Sequence, residues 1–311
     1  MLDVKVRGAA KSDFLRRIQK TWILTAMIVP GFIYYIIFEY VPMYGILIAF
    51  QNYRLGNSFL AGPWVGFRHF IAFFEHQHFA RLVRNTLIIN LYQVLFSFPM
   101  PILLALLLNE VRNRLIKNFV QTVSYLPHFI SMVAVAGMLT VLLSPDNGIV
   151  NRMLVAFGAK PIYFLAETRW YRSVYIISDI WKTVGYGSIV YLASLSNVPL
   201  ELYEAATVDG ASRIQKITKI SLPSIMPTIT IMLILKMGGI MSLGVDKSLL
   251  LQTPITYEVS DVISTFVYRR GLEKAEYSFA SAVGLFNSGI NALMLVGTNA
   301  LSKQMSEVAL W

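Results

Sequence analysis

Three charged residues stand inside two runs that are otherwise apolar. Asp179 and Lys182 lie three positions apart in the run from Ser173 to Leu200, and Lys236 precedes Gly238-Gly239 in the run from Leu222 to Val245. On a helix the first two share a face, so they either neutralise each other as an internal ion pair or line a path that water and solutes reach. Gly185 and Gly187 follow on the same run. Gly185-Tyr186-Gly187-Ser188 lacks the third glycine of a dinucleotide fingerprint, and close helix packing explains it better. His76 and His78 form an H-x-H pair. On a helix their rings would face different sides, and with no H-E-x-x-H in the chain no metal site is expected. His128, alone in its run, reads as a side chain bonded to a neighbouring helix. No G-x-x-x-x-G-K-[ST], no Gly-Lys pair, no G-x-S-x-G elbow and no carboxylate pair set in a pocket occurs, so no ATPase or hydrolase centre is expected in this chain.

The elements that must position these residues are membrane helices. Of 311 residues 56% are hydrophobic and 14% charged, where a soluble domain carries about a quarter charged. Cysteine is absent, which excludes disulfides and thiolate sites. The net charge of +10 could suit a nucleic-acid binder. The Lys and Arg residues are spread along loops without a recurring aromatic and basic platform, so the expected partners are anionic lipid head groups and no nucleic acid. Apolar runs predict an all-α integral membrane fold with six spans, at about 21–50, 85–109, 118–145, 173–200, 222–245 and 277–302. Segments 51–84, 146–172 and 246–276 are expected as outer loops, and the basic segment 1–20 and the short segment 303–311 as cytoplasmic tails. No signal-peptide pattern is read at the start, because the first apolar run is long and no small-residue cleavage pattern follows it. Lys and Arg number 13 on the expected cytoplasmic side and 12 in the expected outer loops. Charge counting therefore barely orients the chain, and the basic first tail decides for a cytoplasmic start.

One polar, helix-coded stretch, Glu201–Pro227, is wedged between two apolar runs. Pro199 suits a first helical position, Leu200, Tyr203 and Thr207 recur at helical spacing, and Gly210 can end the helix in a left-handed conformation. Ser212 and Gln215 form an S-x-x-Q capping box, which predicts a second helix at once, running to Pro223. Glu204-Ala205-Ala206, then Gly210, then Ile220-Ser221-Leu222-Pro223 resembles the EAA loop of type I ABC importer permeases, which have a MetI-like fold. Tyr40-Val41-Pro42-Met43-Tyr44-Gly45, Trp64-Val65-Gly66-Phe67 with Phe70, Asn85-Thr86-Leu87, Tyr125-Leu126-Pro127 and the terminal Leu310-Trp311 extend the resemblance over nearly the whole chain. They narrow it to the binding-protein-dependent sugar permeases of the LplB/YteP-like branch.

The resemblance implies a transport subunit of the bacterial cytoplasmic (inner) membrane, with both tails cytoplasmic and a coupling loop at 199–223 that docks on an ATPase through Glu204, Ala205, Ala206, Asp209, Gly210 and Ala211. It implies a second, different permease chain, two nucleotide-binding subunits that hold ATP and Mg, an external solute-binding protein, and oligosaccharide substrates that include acidic fragments of pectin or alginate. No cofactor is expected in this chain. A sugar pathway wants aromatic faces with hydrogen-bonding groups between them, and the candidates are Tyr40, Asp179, Lys182, Tyr186, Lys236 and Asn287. Asn287 shares a face with Asn291, and Lys182 with Lys236 would favour a uronate. The intramembrane charges also suit a stand-alone, ion-coupled secondary transporter, and a membrane assembly factor is a third reading.

Overall fold

Backbone amides in lipid must find partners within their own segment, and the apolar runs do so as helices. The computed structural model describes residues 22–54, 56, 62–306 and 309–311. Segment 1–20, expected as a cytoplasmic tail, lies outside the described residues. The only β pairing among the described residues is an isolated antiparallel bridge between Gln51 and Trp64.

The chain opens with α1, Trp22–Phe50, which contains a π turn at Ile36–Tyr40 and a 3₁₀ segment at Tyr44–Phe50. A short α2, Arg68–Phe74, leads to the long α3, Phe79–Glu110. Then come α4, Arg114–Phe129, α5, Met132–Leu142, and the short α6, Ile149–Ala156. The central helix α7 is Thr168–Ser196, followed by α8, Leu200–Val208, and α9, Arg213–Met237. The chain closes with α10, Val245–Leu251, α11, Ile263–Tyr268, and α12, Tyr277–Ser306. Four of these, α1, α3, α9 and α12, are long and apolar enough to cross a membrane, or five if the bent pair α4 and α5 makes one crossing. The 29-residue α7 carries Arg169, Arg172, Asp179 and Lys182 along its length.

Three features depart from the sequence reading. The apolar run 118–145 is not one rod: α4 and α5 meet at 101°. Leu126–Phe129 tightens into a 3₁₀ turn around Pro127, and Ser131 starts α5 afresh, its hydroxyl accepting from the Ala134 amide at 3.2 Å. The helix begun at Ser212 does not end at Pro223. It runs on to Met237, with a π turn at Ile217–Ser221 just before the proline, where the widened turn accommodates a residue that has no amide to give. The stretch 246–276, expected as a loop, holds α10, α11 and the π turn Arg269–Glu273, with Val262, Ile263 and Thr265 fully buried.

α7 is the axis. Near the α8 end it packs with α3 and α9 through Tyr191, Leu195, Ala105, Leu106 and Ile225. Gly185 lets α4 come close: a Cβ there would overlap the Ser124 carbonyl, and one at Gly187 would lie 3.1 Å from Pro101 Cγ. Helix packing is thus the use of both glycines, and no nucleotide loop is formed. At the other end of the bundle an aromatic core joins α2, α3, α11 and α12 through Phe73, Leu82, Phe266 and Phe279. Phe73, expected in an interfacial loop, is 1% exposed there, whereas Trp64 and Phe67 stay open. α1 is exposed at residues 22–24 and 26–43 and packs on α12 chiefly through its final segment, Tyr44–Phe50.

Candidate functional site

The half-buried Asp179 and Lys182 of α7 find partners on other helices and not on each other. Asp179 Oδ1 pairs with Lys247 Nζ of α10 at 3.2 Å, and Asp179 Oδ2 accepts from Gln93 Nε2 of α3 at 3.3 Å. Gln93 opens the π turn Gln93–Ser97, and its Oε1 accepts from Lys236 Nζ of α9 at 2.8 Å. Lys247 also donates to the Tyr175 carbonyl at 2.7 Å and sits 4.2 Å from the centre of the Tyr175 ring. One carboxylate thus serves two ammonium groups, one directly and one through an amide, so the cluster carries a surplus positive charge. A buried carboxylate and ammonium hold their charges only when paired and further hydrogen-bonded, as here. α3, α7, α9 and α10 all contribute to this cluster.

Lys182 is engaged elsewhere. Its ammonium donates to the carbonyls of Pro127, His128 and Ile130 at the α4–α5 bend, the last contact being the shortest. The Pro127 carbonyl also takes the Ile130 amide at 3.2 Å, and a cation at a helix C-terminus is favourable both as a donor to such end carbonyls and as a charge. The Asp179–Lys182 ion pair, one of the two readings their spacing allowed, is therefore absent among the described residues: both lie on α7, but each serves a different neighbour. One turn beyond Lys182, Tyr186 stacks on His128 with ring centres 3.9 Å apart and planes 2° from parallel. His128 is thus held by a ring and is not posed as a ligand. Tyr40, at the end of the α1 π turn, is 63% exposed and meets none of these groups. Asn287 on α12 has a buried Oδ1 without a hydrogen-bond partner. Asn291 instead ties the turn after α9, accepting from the Met241 amide and donating to Ser242 Oγ, each at 2.8 Å.

Two groups escaped the sequence. Lys247 lay in a presumed loop, though an apolar run Val245–Leu251 with one lysine was the available signal. Asp261, 1% exposed, takes Arg269 at 2.6 Å and Arg81 at 3.3 Å. Beside it Asn85 donates to the carbonyls of Glu258 and Asp261 at 2.9 and 3.1 Å and accepts from Arg172 at 3.1 Å. This knot pins α11 to α3 and α7. His76 and His78 sit in the turn before α3, not on a helix, with ring centres 5.3 Å apart. Burial first, and then the Arg270 charge, lower the pKa of His76 below the usual imidazole value. Among the described residues no group of three or more His, Asp or Glu could hold a metal ion.

The second part of the site is the α8 hairpin. Gly210 stops α8 with φ +73°, and the Ala211 amide reaches back to the Ala206 carbonyl at 2.8 Å, the left-handed ending that glycine permits without strain. Ser212 and Gln215 then close a reciprocal capping box at the start of α9. Tyr203 and Ala206 turn inward, while Glu201, Glu204, Ala205 and Val208 are exposed, Val208 at 88%. Those four fall at the i, i+3, i+4, i+7 spacing of a single stripe, acidic at one edge and flat and apolar at the other. Asp209 and Gly210 at its end are exposed as well, and Ala211 is half-buried. The two alanines of the sequence motif therefore divide: Ala205 faces out and Ala206 packs inward. Among the described residues no element covers the stripe.

Comparison with known proteins gives three findings. The sequence model of the family described as "binding-protein-dependent transport system inner membrane component" matches residues 97–307. The polygalacturonan/rhamnogalacturonan transport system permease protein YteP of Bacillus subtilis (strain 168) is 42% identical over 301 residues, which cover 97% of this chain and 94% of that one. Protein LplB of the same organism is 37% identical over 310 residues, covering 99% and 98%. Among solved structures, a bacterial ABC transporter involved in the import of the acidic polysaccharide alginate superposes with a TM-score of 0.87 at 44% identity, over 94% of this chain and 99% of that chain. A bacterial alginate ABC transporter in complex with an alginate pentasaccharide-bound periplasmic protein gives the same TM-score at 43% identity, over 95% and 99%.

Proposed function

The chain belongs to the family of binding-protein-dependent transport system inner membrane components, and from that membership we propose that it carries oligosaccharides, acidic ones among them, through its half of an ABC importer. As a member it is a multi-pass inner-membrane permease subunit, and ATP hydrolysis falls to separate ATPase subunits. The observation that carries the proposal is the uncovered stripe of α8, backed by a hairpin whose turn and cap are both fixed. An exposed apolar and acidic helix face on a membrane protein is a docking surface, and its occupant is the ATPase that binds ATP and Mg. Glu204, Ala205 and Val208 make contact, while Ala206, Asp209, Gly210 and Ala211 hold the face in place.

The six-span reading follows if α7 and the bent pair α4 and α5 each count as a crossing, which leaves both termini and the α8 hairpin on the cytoplasmic side. Acidic cargo is supported by the surplus positive charge of Lys236 and Lys247 against Asp179 and by the substrates named for the relatives. Asp179, Lys236 and Tyr186 are the pathway candidates with neighbours that suit the role. Lys182 acts there through the bend it holds, and Tyr40 and Asn287 border the pathway only with a second permease chain in place. Nothing in the comparisons favours a stand-alone secondary transporter, and the charges that suggested one are engaged by partners inside the chain. The test is reconstitution of this chain with its partner permease, ATPase and solute-binding protein in proteoliposomes. ATP-dependent uptake of an oligogalacturonide is expected, and uptake that continues without the ATPase subunits would overturn the reading.

A further inference from the structure

α9 is one helix from the capping box to Met237, so the hairpin and the apolar helix behind it form a single body except at one place, the π turn Ile217–Ser221. A π turn holds one residue more than the α turn it replaces. Winding it back changes the rotation of everything beyond it, which makes it an element with two discrete arrangements. α8 is fastened to α9 on both sides of that turn. Lys216, immediately before it, donates to Thr207 Oγ1 at 2.7 Å, and Ser221, its last residue, lies 2.9 Å from the Tyr203 hydroxyl. Ser221 is 1% exposed, and Tyr203 is on the inward side of α8, away from the docking stripe.

Beyond the turn the same helix keeps making polar contacts. Thr228 Oγ1 meets Ser194 Oγ of α7 at 3.0 Å, and Lys236 reaches Gln93 and, through it, Asp179. Ser221, Thr228 and Lys236 follow one another at intervals of about two turns, so the contacts run along one side of α9. A polar ladder therefore connects the hairpin with the buried charge cluster.

We propose that the Tyr203–Ser221 hydrogen bond is the link that carries displacement of α8 into α9, so that movement of the hairpin turns Lys236 and is not absorbed in the π turn. The proposal rests on the reading of α8 as the docking helix. Tyr203 is then a positioning residue, touching neither the cargo nor the ATPase. Its loss leaves docking intact and lets the hairpin move while α9 stays behind.

The experiment uses the complete transporter in proteoliposomes and measures solute imported per ATP hydrolysed. Tyr203→Phe and Ser221→Ala are each expected to lower that ratio by about threefold or more, with the ATPase subunits still co-purifying as in the wild type. The double variant should be no worse than either single one, as befits two ends of one bond. An unchanged ratio in both single variants, or losses that multiply in the double, overturns the link. Loss of the ATPase from Tyr203→Phe overturns it too, because Tyr203 would then belong to the docking face. Failure of the docking reading looks different: Glu204→Lys would keep both the ATPase and normal coupling.

Discussion

Lys247 Nζ stands 3.2 Å from Asp179 Oδ1 although the two residues are 68 positions apart, and it reaches there from a helix, α10, that neighbours the bent α5. The cation that pairs with Asp179 thus comes from a helix beyond the hairpin. Asp179 joins α3, α7, α9 and α10 in one cluster.

Breaking that pair from one side should cost far more than removing it. Lys247→Met leaves a partly buried carboxylate without its cation, and is expected to destabilise the subunit by about 1–3 kcal/mol. Asp179→Asn combined with Lys247→Met should recover most of the loss. Thermal unfolding in detergent measures both, and a double variant as unstable as Lys247→Met would refute the pairing as the cause.

In the hairpin, Glu204→Lys reverses the charge on the exposed stripe, and Gly210→Pro demands φ near −65° where the chain holds +73°. Each is expected to abolish substrate-stimulated ATP hydrolysis while membrane insertion and yield remain normal. Normal stimulation in either variant counts against the docking role.

Charge selection by the pathway separates the two lysines. Lys236→Met should reduce uptake of an acidic oligosaccharide relative to a neutral one by about fivefold, the worth of roughly 1 kcal/mol for a partly screened charge. Lys182→Met frees the carbonyls of Pro127, His128 and Ile130 and should lower both uptakes alike. Equal losses for Lys236→Met with the two substrates would remove the electrostatic argument.

Helix packing makes its own prediction at Gly185, where a methyl group would collide with the Ser124 carbonyl of α4. Gly185→Ala should destabilise by about 1–3 kcal/mol, visible as a lower unfolding temperature of the purified subunit. Gly284→Ala, with open space around it, is the matched control and should change little.

Local signals carried the hairpin into view, because its instructions are local. Ser212 and Gln215 cap within one turn of each other, and Gly210 ends α8 through its own backbone freedom. Charges inside apolar runs were equally legible. Their partners were not, since three-residue spacing favours Lys182 as the mate of Asp179 and says nothing of which helices lie alongside. Lys247 was hidden further by Asp246 and Glu276, which made the stretch between them look like a solvated loop. The bend at Pro127–Ser131 had local signals in Pro127 and the capping Ser131, but its angle depends on Lys182, a residue of another helix that bonds the carbonyls there.

The exposed helix α1 sets an order of events during synthesis. Its last segment packs on α12, and the Tyr53 amide donates to Ser278 Oγ at 2.9 Å across 225 positions of sequence. α1 thus leaves the ribosome well before α12, the helix that completes its resting place in this chain. Until α12 is made, the end of α1 rests on the segment that follows it, Phe50 meeting the Phe67 and Phe70 rings at 5.5 and 5.4 Å, and its exposed length is met by lipid.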